Sequence, residues 1–272
     1  MPSSRIALVQ LDPGADKPAN VEAAFERIDE AADGGAELVL LPESFHVRGP
    51  SSLRFETAEP IPGPLSERLA DAARRHGITL VAGSYNEKLD RPDRLHNTGL
   101  VFGPDGSTLA EYRKIHLFDA QFEGRFVAHE SSRNLPGDRA VTVETTVGTM
   151  GLTICYDLRF PELYRTLALM GAEVFTVPSN FARHTGKDHW EPLLRARAIE
   201  NGAYVLAPAT CGDEGGFAAY GRSLVVDPWG TVIAQAPDGP GVIWADIDLE
   251  RVHRVRQQLP SLANRRPETY RL

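Results

Sequence analysis

Short apolar segments alternate with longer helical patterns along this chain, and their order constrains the fold more than any other feature. Strand patterns lie at 6–11, 37–41, 78–84, 99–102, 107–112, 141–146, 151–154, 173–178, 204–209, 224–227, 231–235 and 242–246. Helical patterns lie at 18–34, 64–77, 161–170, 189–202 and 249–258. The order βαβαββ followed by ββαβαβ predicts two packed sheets with helices outside, a four-layer α-β-β-α sandwich. We expect residues 1–272 to form one α/β domain, because chains of this length often do.

A cysteine lies where one of these strands gives way to a helix. The run 151–154 is short and apolar, and Pro161 begins a helical pattern that Gly171 ends. Proline suits a first helical turn because its missing N–H has no helical partner there. Cys155 therefore lies at a turn that can expose a nucleophile and aim backbone N–H groups at its target. The alternative is a structural cysteine, since free cysteine is among the most buried residue types.

Two charged residues lie at the ends of other predicted strands. Glu43 follows the run 37–41, and a carboxylate at the end of a buried strand is costly unless it is paired or used. Lys114 follows a hairpin whose turn is Gly103-Pro104-Asp105-Gly106. Either residue alone is compatible with a solvent-exposed side chain. Together with Cys155 they supply a base, a cation and a nucleophile at strand ends, where α/β sheets build their sites.

Three ordered motifs carry a resemblance to the nitrilase superfamily of carbon–nitrogen hydrolases. They are Leu-Leu-Pro-Glu-Ser-Phe at 40–45, Tyr-Arg-Lys-Ile-His-Leu-Phe-Asp at 112–119 and Cys-Tyr-Asp-Leu-Arg-Phe-Pro-Glu at 155–162. The resemblance extends over 6–270 and is strongest to the amidase branch that holds omega-amidase and deaminated glutathione amidase. It implies the α-β-β-α fold of that family, a homodimer or higher homo-oligomer, and a C-terminal tail, about 259–272, in the oligomer interface.

The resemblance also implies further site residues. A second glutamate after the lysine matches Glu130, with Glu123 as the weaker candidate, and would keep Lys114 protonated because an opposite charge favours the charged form. The positions of Asn180, Phe181 and Thr185 touch the substrate in the family. Arg159 lies one helical turn beyond Cys155 and is expected to bind the carboxylate of the substrate that the resemblance implies; an ion pair with Asp157 or Glu162 is the alternative. The neighbouring Arg183 and His184, and the second cysteine, Cys211, are not tied to one role.

The expected reaction follows from these residue types. Glu43 deprotonates Cys155, the sulfur attacks an amide carbonyl, and Lys114 with the backbone N–H of Tyr156 binds the oxyanion. Ammonia leaves, and water then hydrolyses the acyl-thioester. The expected partners are a small carboxylate-bearing amide and water. A nitrilase and an N-carbamoyl amino acid amidohydrolase remain enzymatic alternatives, and a catalytically silent scaffold of the same fold is the non-enzymatic one.

Composition excludes several other classes. The formal net charge of −8 argues against binding to nucleic acid or to anionic membranes. We expect no signal peptide, because the first residues lead straight into the strand pattern at 6–11, and no apolar run is long enough to span a bilayer. Two cysteines do not make a disulfide framework, so we expect a cytoplasmic protein. No HxxxH or CxxC pair is present, and we expect neither a metal nor another cofactor.

Overall fold

Apolar side chains cover both faces of the first strand, so its sheet needs a packing partner on each side. In the computed structural model, which describes residues 3–122 and 126–270, strand β1 spans Ser4–Gln10. Ile6 and Leu8 belong to one hydrophobic cluster, and Ala7 and Val9 belong to another. Successive side chains of a strand point to opposite faces, and the sheet therefore lies between two apolar layers.

The strands and helices follow the alternating order of the sequence. After β1, the strands are β2 (Leu38–Leu40), β3 (Thr79–Val81), β4 (Tyr85–Lys88), β5 (Leu95–Phe102), β6 (Thr108–Arg113), β7 (Asp119–Phe122), β8 (Phe126–His129), β9 (Thr142–Thr145), β10 (Gly148–Leu152), β11 (Val174–Thr176), β12 (Tyr204–Ala207), β13 (Asp213–Glu214), β14 (Phe217–Ala218), β15 (Leu224–Val226), β16 (Val232–Gln235) and β17 (Gly241–Ile247). The α-helices are α1 (Lys17–Asp33), α2 (Ser51–Thr57), α3 (Pro64–His76), α4 (Pro161–Leu169), α5 (Arg183–Asn201) and α6 (Leu249–Gln258). Short 3-10 helices span Glu130–Ser132, Cys155–Arg159 and Pro267–Thr269.

The two large sheets form the middle layers. One has the order β17-β1-β2-β3-β5-β4, with β6 paired to β5, and the other has the order β16-β15-β12-β11-β10-β9. One cluster joins facing residues of both sheets, and the second lies between the first sheet and helices α1 and α3. Helices α4 and α5 pack on the outer face of the second sheet. The predicted four-layer α-β-β-α sandwich is therefore confirmed.

The sequence patterns missed several elements, among them β4 and the β13–β14 hairpin. The segment 118–138 carries no strand or helix pattern in the sequence, yet it contains the β7–β8 hairpin and a 3-10 helix, because its short strands lack a continuous apolar face. Helix α5 begins at Arg183 rather than 189, because the Ala182 carbonyl oxygen already accepts from the Gly186 N–H at 2.8 Å. Helix α2 spans only seven residues, too few for helical periodicity to stand out. None of the helices described is long and apolar enough to cross a membrane.

Candidate active site

Three elements from both sheets bring Glu43, Lys114 and Cys155 to one edge of the sandwich. Glu43 follows β2, Lys114 follows β6, and Cys155 follows β10. A direct bond joins the sheets there, since the backbone N–H of Asn180, after β11, donates to Glu43 Oε2 at 2.7 Å. The edge lies at the carboxyl ends of parallel strands, where α/β sheets carry their sites.

A glycine allows the Glu43 segment to lie against the neighbouring strand. Gly83 follows β3 with a φ of +31°, and a Cβ atom there would lie 2.1 Å from the carbonyl oxygen of Pro42. In the same contact the Ser44 N–H donates to the carbonyl oxygen of Ser84 at 2.9 Å. A side chain at position 83 would therefore displace Glu43.

Lys114 is buried between two carboxylates. Its Nζ donates to Glu43 Oε1 at 3.1 Å and to Glu130 Oε2 at 2.8 Å, and its side chain is 2% exposed. Burial alone would lower the pKa of Lys114, but Glu130 and Glu43 outweigh burial and hold that pKa above its usual value. Burial would raise the pKa of Glu130, but Lys114 outweighs it and keeps the Glu130 pKa below its usual value. At neutral pH the site thus holds a fixed cation beside a fixed anion.

Two asparagines that the sequence analysis missed orient these carboxylates. Asn97 Nδ2 donates to Glu43 Oε1 at 2.8 Å and to Glu130 Oε1 at 3.4 Å, and Asn134 Nδ2 donates to Glu130 Oε1 at 3.2 Å. The backbone N–H of Phe118 donates to the other oxygen of Glu130 at 2.6 Å. Asn97 could have been found from the sequence, because a side-chain amide within a buried strand needs a hydrogen-bond partner.

Cys155 is a buried thiol that shares its cavity wall with the candidate base Glu43. It is 8% exposed, its φ is +49°, and its N–H donates to the carbonyl oxygen of Pro178 at 3.0 Å. Burial raises the pKa of the thiol well above its usual value, Glu43 raises it further, and Lys114 offsets only part of this. The thiol is therefore protonated at neutral pH. Glu43, a carboxylate on the same cavity wall, is the group placed to remove its proton.

A fully buried carboxylate ties the lysine segment to the cysteine segment. Asp157 Oδ1 accepts from the His116 N–H at 3.0 Å and lies 2.7 Å from His116 Nδ1. Asp157 Oδ2 accepts from the Tyr112 hydroxyl at 2.7 Å and from the Ile154 N–H at 2.8 Å. Tyr112 and His116 flank the lysine in sequence, and Ile154 precedes the cysteine. One carboxylate therefore sets the spacing between cation and nucleophile.

The candidate residues line a common cavity of about 360 Å³. Of the residues predicted from the sequence, its wall contains Glu43, Lys114, Glu130, Cys155 and Asn180. Helix α2, the β7–β8 hairpin and the glycine-rich tip of the β13–β14 hairpin supply much of the remaining wall. Within the described ranges no group of three His, Cys, Asp or Glu side chains is placed to hold a metal ion.

Three arginines that the sequence analysis did not single out also line the cavity. Arg48 is 2% exposed and donates to the carbonyl oxygens of Cys211 at 2.8 Å and Phe217 at 2.6 Å, which anchors the β13–β14 hairpin. Cys211 is buried and is not part of the wall. Arg54 lies on α2, and Arg133 follows the 3-10 helix that contains the second glutamate. No motif marks them, because the fold alone brings their separate segments to the cavity.

Arg159, the predicted carboxylate ligand, does not reach the cavity wall. Its Nη1 lies 3.3 Å from His189 Nδ1, and its guanidinium carbon lies 5.2 Å from the ring centre of Phe181. The alternative ion pair with Asp157 is not formed, because other donors occupy both oxygens of that carboxylate. Phe181 also lies outside the wall, where its ring packs against Trp190 at 5.1 Å between ring centres.

The remaining candidates of the sequence analysis are also placed away from the wall. Thr185 is buried in the first turn of α5, where its hydroxyl donates to a backbone carbonyl oxygen. The ring of Tyr156 lies outside the cavity wall, although its backbone N–H directly follows the candidate nucleophile. Arg183 is exposed, and the ring of His184 contacts Phe122. Glu123, the weaker candidate for the second glutamate, lies outside the described residues.

Known proteins share the sequence and the fold around this geometry. Residues 5–257 match the family model described as carbon-nitrogen hydrolase. The chain is 42% identical to deaminated glutathione amidase of Bos taurus, over 97% of this chain and 83% of that protein. It is 41% identical to omega-amidase NIT2 of Homo sapiens, over 99% of this chain and 98% of that protein. The crystal structure of the C. elegans NitFhit protein matches with a TM-score of 0.92 at 36% identity, over 100% of this chain and 67% of that one.

Proposed function

The chain belongs to the carbon–nitrogen hydrolase family, and from this premise we propose that it hydrolyses the amide bond of a small, carboxylate-bearing amide and releases ammonia. The observation that carries the proposal is the shared cavity wall of Cys155, Glu43 and the Lys114–Glu130 ion pair, with Glu43 close enough to the thiol to raise its pKa. The names of the two amidase relatives support an amide as the substrate.

Acylation begins with transfer of the Cys155 proton to Glu43. The sulfur attacks the amide carbonyl carbon, and the carbonyl oxygen takes up the negative charge. Lys114 is suited to bind that oxygen, because an ammonium group has three N–H donors and the two glutamates occupy two of them. The backbone N–H of Tyr156 is the second donor, and each such donor is worth about 3 kcal/mol in the transition state.

Release of ammonia and hydrolysis of the thioester reuse the same base. Protonated Glu43 returns its proton to the amide nitrogen as the C–N bond breaks, which leaves an acyl-thioester on Cys155. Water then loses a proton to Glu43 and attacks the thioester carbonyl carbon, and the proton returns to the departing sulfur. Glu130 holds Lys114 in place through both half-reactions. The side chains supply every proton transfer, so the proposed chemistry needs no cofactor.

Ammonia release from a substrate panel tests this function. The panel contains an omega-amide of a keto acid, deaminated glutathione, aliphatic amides, N-carbamoyl amino acids and a nitrile, each with the wild type and with Cys155→Ala. We expect release from the acidic amides that Cys155→Ala abolishes, and a mass increase of one acyl group on rapidly quenched wild-type protein. Release only from a nitrile or a carbamoyl compound would reassign the substrate. Absence of release from every compound would contradict an active hydrolase.

The same proposal includes a homo-oligomer with the C-terminal tail, residues 259–272, in its interface. Leu259 is 53% exposed and lies with Trp229, 54% exposed, in an apolar groove. Tyr270 is 47% exposed. Contact with a second copy would remove such apolar surface from water. Sedimentation of the wild type and of a Trp229→Glu/Leu259→Glu variant tests this, and identical sedimentation of the two proteins would contradict it.

The cytoplasm is the location that the thiol chemistry supports. Cys155 and Cys211 are both free thiols. A reducing compartment keeps a nucleophilic thiol active, whereas an oxidising one favours disulfides.

A further inference from the structure

Two arginines in the cavity wall have no protein partner among the described residues. Arg54 and Arg133, here called the arginine pair, line the same cavity as Cys155 and are both half-buried. Neither guanidinium makes a hydrogen bond or an ion pair with any residue that the structure describes. Ordering and desolvating a long cationic side chain costs free energy. An unpartnered guanidinium at this depth therefore indicates a site for a ligand with negative charge.

The other cations of the wall are already engaged. Lys114 lies between Glu43 and Glu130 at hydrogen-bond distance from both. Arg48 donates to two backbone carbonyl oxygens and lies 3.6 Å from Asp12. The arginine pair is therefore the part of the wall that is left to bind an anion.

The members of the pair are close enough to repel each other. Burial lowers the pKa of Arg54 to about 10, and the positive charge of Arg133 is the next largest cause. Arg54 still stays protonated at neutral pH, because that pKa lies well above 7. An anion bound between the two groups would remove their repulsion.

The unpaired positive charge of the described wall lies on the arginine pair. The cationic side chains of the wall are Lys114, Arg48, Arg54 and Arg133, and its carboxylates are Glu43, Glu130 and Glu214. Lys114 lies between Glu43 and Glu130, and Asp12 lies beside Arg48. Among the described residues no carboxylate lies at ion-pair distance from Arg54 or Arg133, and a ligand carboxylate would supply one, whereas a neutral amide would not.

We propose that Arg54 and Arg133 form a clamp for the substrate carboxylate and are the residues that make the enzyme prefer acidic amides to neutral ones. This inference rests on the proposed amidase function and assigns to Arg54 and Arg133 the selection of the amidase substrate. A planar guanidinium suits this role because it donates two parallel N–H bonds to a carboxylate. Arg133 follows the 3-10 helix Glu130–Ser132 directly, and Glu130 in that helix binds Lys114. The same short segment therefore positions both the partner of Lys114 and one arginine of the clamp.

Paired substrates test the clamp through kinetics. KM and kcat are measured for the monoamide of succinic acid and for its uncharged diamide with the wild type, Arg54→Gln, Arg133→Gln and the double variant. We expect each single variant to raise KM for the monoamide about 10- to 100-fold, as for loss of a hydrogen bond to a charged group. KM for the diamide should stay near its wild-type value. Arg91→Gln is the control, because Arg91 is exposed and pairs with Asp93 outside the cavity.

A binding measurement separates failure of the clamp from failure of the proposed function. Calorimetry measures succinate binding to Cys155→Ala with and without the arginine pair, and thermal melts establish that each variant is folded. We expect succinate to bind and to lose affinity about 10- to 100-fold when either arginine is replaced. Equal KM changes for both amides, a selective effect of Arg159→Gln alone, or succinate binding that does not depend on the pair would overturn the clamp. If the wild type hydrolyses neither amide, the proposed function fails while calorimetry still decides on the clamp.

Discussion

Asp157→Asn tests whether one buried carboxylate sets the spacing between Lys114 and Cys155. The substitution preserves size but replaces one oxygen by an NH2 group. In one orientation this donor faces the backbone N–H of His116, and in the other it faces that of Ile154. Either way one buried N–H loses its acceptor, at a cost of about 1–3 kcal/mol, and the remaining bonds lose a charged acceptor. We expect the free energy of unfolding to fall by about 2–4 kcal/mol.

Urea unfolding and steady-state kinetics check this prediction. The matched control is Asp238→Asn, which removes a carboxylate that is 86% exposed and should change the free energy of unfolding by no more than about 0.5 kcal/mol. Among folded Asp157→Asn molecules we also expect a lower kcat, because a misplacement of about 1 Å near the chemistry can cost about 100-fold. Wild-type values of both the unfolding free energy and kcat would refute the spacing role of Asp157.

Three further substitutions test the candidate site. In Glu43→Gln we expect the pKa of Cys155 to fall, because the charge that raises it is gone, and ultraviolet titration of the thiolate measures this pKa. We also expect kcat for ammonia release to fall about 10²- to 10⁴-fold, because the base is lost. An unchanged kcat would exclude Glu43 as the base. The folded pKa of Glu130 lies below its unfolded value, so its stabilisation is present above the ordinary carboxyl pKa of 4.5 and is lost as the pH falls through the folded pKa. Urea unfolding should therefore show the stabilities of wild type and Glu130→Gln converging at acidic pH, and curves that stay parallel would contradict the pairing with Lys114. Cys155→Gly should be more stable than Cys155→Ala by up to about 1 kcal/mol, because the left-handed cost to alanine of about 1–2 kcal/mol exceeds the entropy cost of glycine; equal thermal stability would argue against strain at this turn.

The sequence predicted what local patterns determine. Apolar runs bounded by turn residues predicted most of the strands. Glu43, Lys114 and Cys155 were then predicted as site residues because each lies at the end of such a run. Both patterns consist of residues that are close in sequence. The resemblance added Glu130, which the structure places on Lys114. Nothing local marks the arginine pair, because its members come from segments that only the tertiary fold brings to one cavity.

Residues whose partners are distant in sequence give no local signal of their contacts for the same reason. Asp157 was considered only beside its sequence neighbours, whereas its donor Tyr112 lies 45 residues away. Arg159 follows Cys155 by one helical turn, and that proximity suggested a substrate contact. In the structure its side chain contacts His189 and Phe181, which do not line the cavity. Separation along a helix fixes distance, but the packing of that helix decides which side chain meets the cavity.

The left-handed backbone at Cys155 makes activity in this fold easy to lose and hard to regain. While selection maintains hydrolysis, cysteine is retained at position 155, although glycine adopts its positive φ at a lower free-energy cost. If selection for hydrolysis relaxes, mutation of Cys155 to glycine removes the nucleophile and also relieves the backbone strain. The mutation that abolishes activity therefore stabilises the protein. Restoring cysteine would then have to overcome that gain before any turnover returned. We therefore expect homologues that have lost activity to carry glycine at the position of Cys155 and to keep the rest of the sandwich.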